Sequence, residues 1–262
     1  MNIFSYFRKL FASEPTTQDA HLPLKINFNS TITFEINPII SAITRGAMID
    51  VAVDNLKMLK VTAISSMKIE GMEDKKIYRF YFNRDGSEKR QFLQVLTDSD
   101  NVEQIDEILF CSSITEPPEG EGDIAFFCGD NDEGLGEASY SFSRDDLYTF
   151  FAEKEVDKRL AASGDEDGVD YERVDAEEAF MPAFTGVETV IFDANGTTGE
   201  YREIMNLMPH SRALEGIAFE EFIVAFWATT SRNGKRIDVE NQLPLAEYIF
   251  AIKLEQGNIK VI

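Results

Sequence analysis

The sequence predicts an α+β fold that is mainly antiparallel β, made of hairpins and meanders with one or two helices. Three observations carry that reading. Residues 77–82 and 91–96 are two aromatic and branched runs facing each other across Asp85-Gly86, a favoured pair for tight hairpin turns. Further short apolar runs recur at intervals with Gly, Asn or Pro between them, the punctuation of strands and turns. Only one stretch, opening at Ser143 with Asp146 three residues on, combines a capping box with an extended helical pattern.

Taken in order, Ile32, Phe34 and Ile36 alternate with polar residues as in a half-buried strand, which ends at Asn37-Pro38. Proline suits the first turn of a helix, so residues 39–45 read as a short helix closed by Gly46. Residues 48–53 and 59–69 read as strands leading into the central hairpin. There Tyr78, Phe80 and Phe82 share one face, while Ile77, Arg79 and Tyr81 share the other. Arg79 stands between aromatics, so it needs an acidic partner or a ring, Tyr81 or Phe92, to stack on.

After a strand at 105–114, the Pro117-Pro118 pair breaks the chain, and 124–128 is a short buried run before a Gly- and Asp-rich loop. The helix from Ser143 extends to about Ala162, its apolar side made by Leu147, Phe150, Phe151 and Leu160. Residues 163–178 are acidic and poor in large apolar side chains, and read as a mobile loop. Strands return at 187–192 and 201–208, joined by Asn195-Gly196. Residues 222–230 are apolar on both faces, as in a central strand, and form a hairpin with the residues after Asn233-Gly234. Residues 248–254 and 259–262, around Gly257-Asn258, close the chain. The organisation expected is a tail over 1–20, then a single β-rich domain over 21–262 with an acidic helix-plus-loop insertion near 143–180.

The formal net charge is −22. Residues 101–200 hold 27 acidic and 5 basic side chains, and the rest of the chain holds 20 of each, so the whole excess lies in the middle. That excludes a nucleic-acid partner and points instead to a basic protein surface or a polyamine. The candidate contacts are Asp130, Asp132 and Glu133 in one loop, and Asp165, Glu166, Asp167 and Asp170 in another. The longest apolar run, 222–228, is far below the roughly 20 residues a membrane helix needs. Phe4, Phe7 and Phe11 recur at helical spacing beside Arg8 and Lys9, which marks residues 1–13 as candidate contacts with an anionic membrane surface. No secretory signal is expected, and Cys111 and Cys128 have neither metal nor redox spacing, which fits a reduced cytoplasm.

No catalytic signature emerges. The histidines, His21 and His210, have no sequence neighbours that would complete a metal site or triad. Cys128 with His210 as nucleophile and base competes with a simple buried thiol. Gly234-Lys235 lacks the earlier glycine of a phosphate loop. Set on an EF-hand register, Gly168 places Val174 and Gly134 places Ser141 where the bidentate carboxylate belongs. No cofactor or metal is therefore expected, and any catalytic residue is unknown.

Leu22-Pro23-Leu24, the run Tyr78-Arg79-Phe80-Tyr81-Phe82 with Phe92-Leu93-Gln94-Val95, the segment from Pro117-Pro118 to Gly136, and a strand pair over 245–262 resemble the YjfK-like family of uncharacterised bacterial proteins. The resemblance covers most of 21–262, with about 156–180 as an addition. It implies a bacterial cytosolic setting and a link to PspA-like membrane-stress proteins; a location peripheral to the inner membrane is the expectation that residues 1–13 carry. The function expected is a non-enzymatic interaction protein. The alternatives are a carboxylate-based, hydrolase-like enzyme and a peripheral membrane protein acting through residues 1–13.

Overall fold

Alternation of large apolar side chains on both faces demands that a strand be covered on both sides, and the fold satisfies this by closing its sheet. The structure is a computed structural model that describes residues 21–51, 56, 58–82, 89–118, 120, 126–127, 134, 136–173, 180–194, 197–214, 219–237 and 244–262, with the backbone alone at 89, 193, 194, 197, 219, 221, 224, 226 and 227. Eight strands form the closed wall: β2 (Leu59–Ile69), β3 (Lys75–Phe82), β4 (Lys89–Asp98), β5 (Ile105–Glu116), β8 (Phe184–Ala194), β9 (Thr197–Ala213), β10 (Phe219–Arg232) and β12 (Leu245–Lys253). Their order is β2-β3-β4-β5-β12-β10-β9-β8, and β8 pairs back onto β2. Every pairing is antiparallel.

The lumen is filled by one apolar cluster to which all eight strands contribute, with Met67, Tyr81, Phe92, Cys111, Ile249, Ile223, Met205 and Val190 among its members. An eight-stranded barrel is just wide enough for its side chains to fill it. The outer face carries a larger cluster, because additional elements cover it. These are β1 (Thr31–Phe34), β13 (Ile259–Val261), and the hairpin of β6 (Ser139–Ser143) with β7 (Gly168–Arg173). Three helices join them: α1 (Asn37–Thr44), α2 (Arg144–Phe150) and α3 (Glu153–Ser163). A two-residue β11 (Lys235–Arg236) pairs antiparallel with the end of β10.

The central hairpin stands as read. Ile77 pairs with Leu96 and Phe82 with Gln91. Tyr78, Phe80 and Phe82 enter the outer core, where Phe34 lies edge-on to Phe82 with ring centroids 6.0 Å apart. Ile77 and Tyr81 face the lumen. Its turn, 83–88, lies outside the described residues. Strand β10 is central, flanked by β9 and β12. Ser143 caps α2 reciprocally with Asp146.

Four expectations are corrected. The helix from Ser143 is two helices, broken at Phe151 and Ala152, whose extended backbone turns both Phe150 and Phe151 into the core. Residues 48–51 form no strand; the N–H groups of Met48 and Ile49 instead donate to the carboxylate of Glu220. Residues 168–173 are a strand rather than part of a mobile loop, because Val169, Tyr171 and Arg173 alternate inward and are buried. Residues 259–261 pair with β1, not with 248–254, since β12 is already hydrogen-bonded on both edges. Gly46 closes α1 at φ +99°, where a Cβ would stand 2.5 Å from the Arg159 carbonyl on α3, so only glycine allows that approach.

Candidate functional site

Among the described residues, two places bear on function. The first is inside the barrel. Arg79 points into the lumen from β3 and donates from Nε to Gln94 Oε1 on β4 at 2.9 Å and from Nη1 to Glu188 Oε2 on β8 at 3.3 Å. Tyr81 donates to Glu188 Oε1 at 2.8 Å, and Ser65 donates to the same oxygen. The guanidinium also lies 5.0 Å from the Phe92 ring centroid. Burial alone would lower the Arg79 pKa, but attraction to Glu188, and then to Tyr81 and Glu247, outweighs it, and Arg79 is held above its ordinary value. Burial first, and the Glu188 charge second, push the Tyr81 phenol up.

Near one end of this network Ser113 donates to Glu247 at 2.6 Å. Arg90, on the lumen face of β4, is lifted by Glu247 and Glu203 against the opposing pull of burial. Burial also drives the Cys111 thiol upward, so it stays a neutral, inert group. Glu188 and Glu203 are directly opposed across β8 and β9, and both are buried. Their shared surroundings, Arg79 and Arg90, offset what would otherwise be a costly like-charge pair. The network is closed by side chains, and it ties β2, β3, β4 and β8 together.

The second place is a cleft of about 1100 Å³ at the barrel's outer surface. Its floor is six half-buried apolar side chains, Leu22, Leu24, Val102, Ile105, Ile259 and Val261, and its rim carries His21, Lys25, Asp100 and Glu103. Three separate parts of the chain build it. A 3-10 turn at Pro23–Lys25 supplies the first wall, with Leu24 and Lys25 both at φ +57°, a left-handed conformation that is rare for residues with side chains. The turn is held by Lys25 N–H to the Leu22 carbonyl and by burial of Pro23 and Ile26. The β4–β5 connection supplies the second. There Asp98 accepts from the Asp100 N–H at 2.9 Å and Asn101 Oδ1 from the Glu103 N–H at 3.1 Å, two local bonds that lift Val102 toward the floor. Strand β13 supplies the third, with Ile259 and Val261 on one face.

The residues expected from sequence do not converge. Asp130, Asp132 and Glu133 lie outside the described residues, as do Cys128 and the residues 1–13 with Phe4, Phe7, Arg8, Lys9 and Phe11. Asp165 pairs with Arg212 at 3.1 Å. Asp170 accepts from Ser141 at 2.6 Å, and the backbone carbonyls of Glu166 and Asp167 receive Arg144. These four acids are therefore spread along a turn and the strand β7, which lies between β6 and β9. His210 is buried against Tyr140 and Phe222. Among the described residues no three His, Cys, Asp or Glu side chains are grouped as metal ligands. Among the same residues no helix is long and apolar enough to cross a membrane. Arg79 met both expectations, an acid and a ring. Glu188 was missed, although a lone Glu in phase with Val190 and Phe192 was a legible signal; the cleft left none, since its walls are distant in sequence.

The chain matches no protein-family model, no curated protein and no solved structure.

Proposed function

We propose that this chain is a non-enzymatic interaction protein that holds a short polypeptide segment in the cleft between the Pro23–Lys25 turn, the β4–β5 connection and β13. One observation carries the reading: six apolar side chains from three separate parts of the chain converge, half-buried, beneath a charged rim. Contiguous apolar surface framed by polar groups is the usual character of a binding site. At about 1100 Å³ the space is near the upper end of the roughly 300–1,000 Å³ of ligand pockets and has room for a short peptide. Among the described residues with strongly raised pKa values, Arg79, Tyr81 and Cys111 face the lumen and Tyr171 and Arg212 meet Glu220, and none of them lines the cleft, so we read the cleft as offering contact and charge rather than an activated nucleophile. The resemblance to YjfK-like proteins, with their PspA-like neighbours, agrees with an adaptor role.

The test is retention of a partner by wild-type chain and by Val102→Glu and Val261→Glu chains at low and high salt. Both variants, folded by circular dichroism, are expected to lose the partner. Equal retention by both would overturn the assignment of the cleft.

A further inference from the structure

The inference names how the cleft holds its occupant, and it rests on the reading of that cleft as a binding site. Strand β13 walls the cleft through Ile259 and Val261 and is paired on one edge, to β1. At that edge Ile262 N–H donates to the Thr31 carbonyl at 2.9 Å and Thr31 N–H to the Ile262 carbonyl at 3.0 Å. Bonded positions alternate along an antiparallel pair, so Thr33 with Lys260 comes next, and Glu35 N–H then reaches the Asn258 carbonyl at 2.7 Å. The backbone groups of Ile259 and Val261 therefore point to the opposite edge. There the Ile259 N–H donates to the Gln256 carbonyl of the preceding turn. The Ile259 carbonyl, the Val261 N–H and the Val261 carbonyl have no hydrogen-bond partner among the described residues. No residue of β1 lines the cleft, so the open edge is the one that borders it.

We propose that the occupant is an extended segment of a partner polypeptide, added to β13 as a further strand. Free donors and acceptors at strand spacing are matched by another extended main chain, not by a helix, whose own backbone groups are already bonded. The side chains agree with this. An added strand sends alternate residues to one face, and the apolar floor lies on the face where Ile259 and Val261 alternate. The partner segment therefore carries apolar residues at every second position. Asp100 and Glu103 on the rim are exposed and in no ion pair among the described residues, so a basic residue beside the apolar ones completes the fit. A second copy of this chain fits less well, because a two-fold contact would set that acidic rim against itself. The edge is three residues long and Lys260 is exposed, which blunts indiscriminate strand pairing.

The probe is a short synthetic peptide alternating valine and threonine, with lysine at both ends, added to the full chain. Amide hydrogen exchange read by NMR is expected to be fast at Val261 in the free chain and slowed about tenfold by the probe. The Ile259 amide, already bonded, should change little. Methylating every second backbone nitrogen of the probe gives two versions; the one blocked toward β13 should bind about tenfold more weakly, and the other like its parent. Val261→Pro deletes an N–H that the fold does not use and should weaken the probe about tenfold, whereas Val261→Ala keeps it and should weaken the probe less. The methylated pair leaves the protein unaltered, so a misfolded proline variant does not decide the matter. Strand addition is overturned by a probe that does not bind, by equal affinity of the two methylated versions, or by a Val261 amide unchanged in the complex. Val261 protection that rises with chain concentration without probe makes a second copy the occupant and also overturns it. Val102→Glu separates the two readings. Loss of the probe in that chain, with both methylated versions equal on wild type, removes strand addition and leaves the cleft; undiminished binding in that chain removes the cleft itself.

Discussion

Arg79 on β3 and Glu188 on β8 meet inside the barrel across the width of β2, with Nη1 3.3 Å from Oε2 and side chains 2% and 1% exposed. Each satisfies a charge that the other strand has removed from water. Removing one partner strands the other, and that penalty exceeds what the pair contributes over an apolar replacement. Glu188→Ala is therefore expected to cost about 3–5 kcal/mol. Replacing both, as Arg79→Met with Glu188→Leu, should cost much less than the two single changes combined. Urea unfolding of the four chains measures this; additive losses would show that the two groups are not coupled.

Alkaline pH should expose two of the buried tyrosines, Tyr81 and Tyr171. Burial is the main cause that raises Tyr81 and Tyr171, with Glu188 and Glu220 adding to it respectively. Both folded pKa values lie above the unfolded 10.0, so their stabilisation is complete below pH 10 and is lost as pH rises beyond it. Followed by phenolate absorbance, Tyr81 and Tyr171 are expected to ionise only together with unfolding. Reversible ionisation of all eight tyrosines in the native state would contradict their placement.

Glu220 and Asp165 both serve Arg212, yet removing them should have very different effects. Glu220 is fully buried and accepts from Met48 N–H, Ile49 N–H, Tyr171 OH and Arg212 Nε. Glu220→Ala is expected to cost about 3–5 kcal/mol, because it leaves Arg212 and a phenol buried without their acceptor. The Asp165 side chain is 39% exposed, and Asp165→Asn should cost under about 1 kcal/mol. A comparable loss for the two, by thermal or urea unfolding, would mean that the burial of Glu220 is misassigned.

The Pro23–Lys25 turn should trade stability against binding. Lys25 at φ +57° bears a left-handed cost of about 1–2 kcal/mol that glycine does not. Lys25→Gly is expected to raise the unfolding free energy by about 0.5–1 kcal/mol after the extra chain entropy of glycine is subtracted. The Lys25→Val chain, with a branched Cβ, should lose stability instead. A rise for Val and a fall for Gly would reverse the conformational argument.

The faces of the central hairpin were legible because period-two alternation is a local property: Phe80 and Arg79 had to point to opposite sides wherever the strand lay. The capping box of Ser143 with Asp146 was legible for the same reason. The split between α2 and α3 was not, since Phe151 fits a helical stripe and leaves it only because the core beneath it draws both Phe150 and Phe151 inward. The acidic stretch 163–178 misled because three buried residues, Val169, Tyr171 and Arg173, are few in number yet in strict alternation.

Local chemistry in the chain by itself determined that this is an antiparallel β protein, which residues of the hairpin share a face, where a helix starts, and that Arg79 needs an acid or a ring beside it. Tertiary structure alone decided that the sheet closes, with β12 placed between β5 and β10. It also made Glu188, 109 positions away from Arg79, the acid, and β1 rather than β12 the partner of β13. The reason is physical: backbone hydrogen bonds between strands carry almost no sequence identity, and the entropy of closing a longer loop grows only slowly with its length. Which strands pair is then settled by how whole faces pack, and that same packing brings the Pro23–Lys25 turn, the β4–β5 connection and β13 together around one cleft.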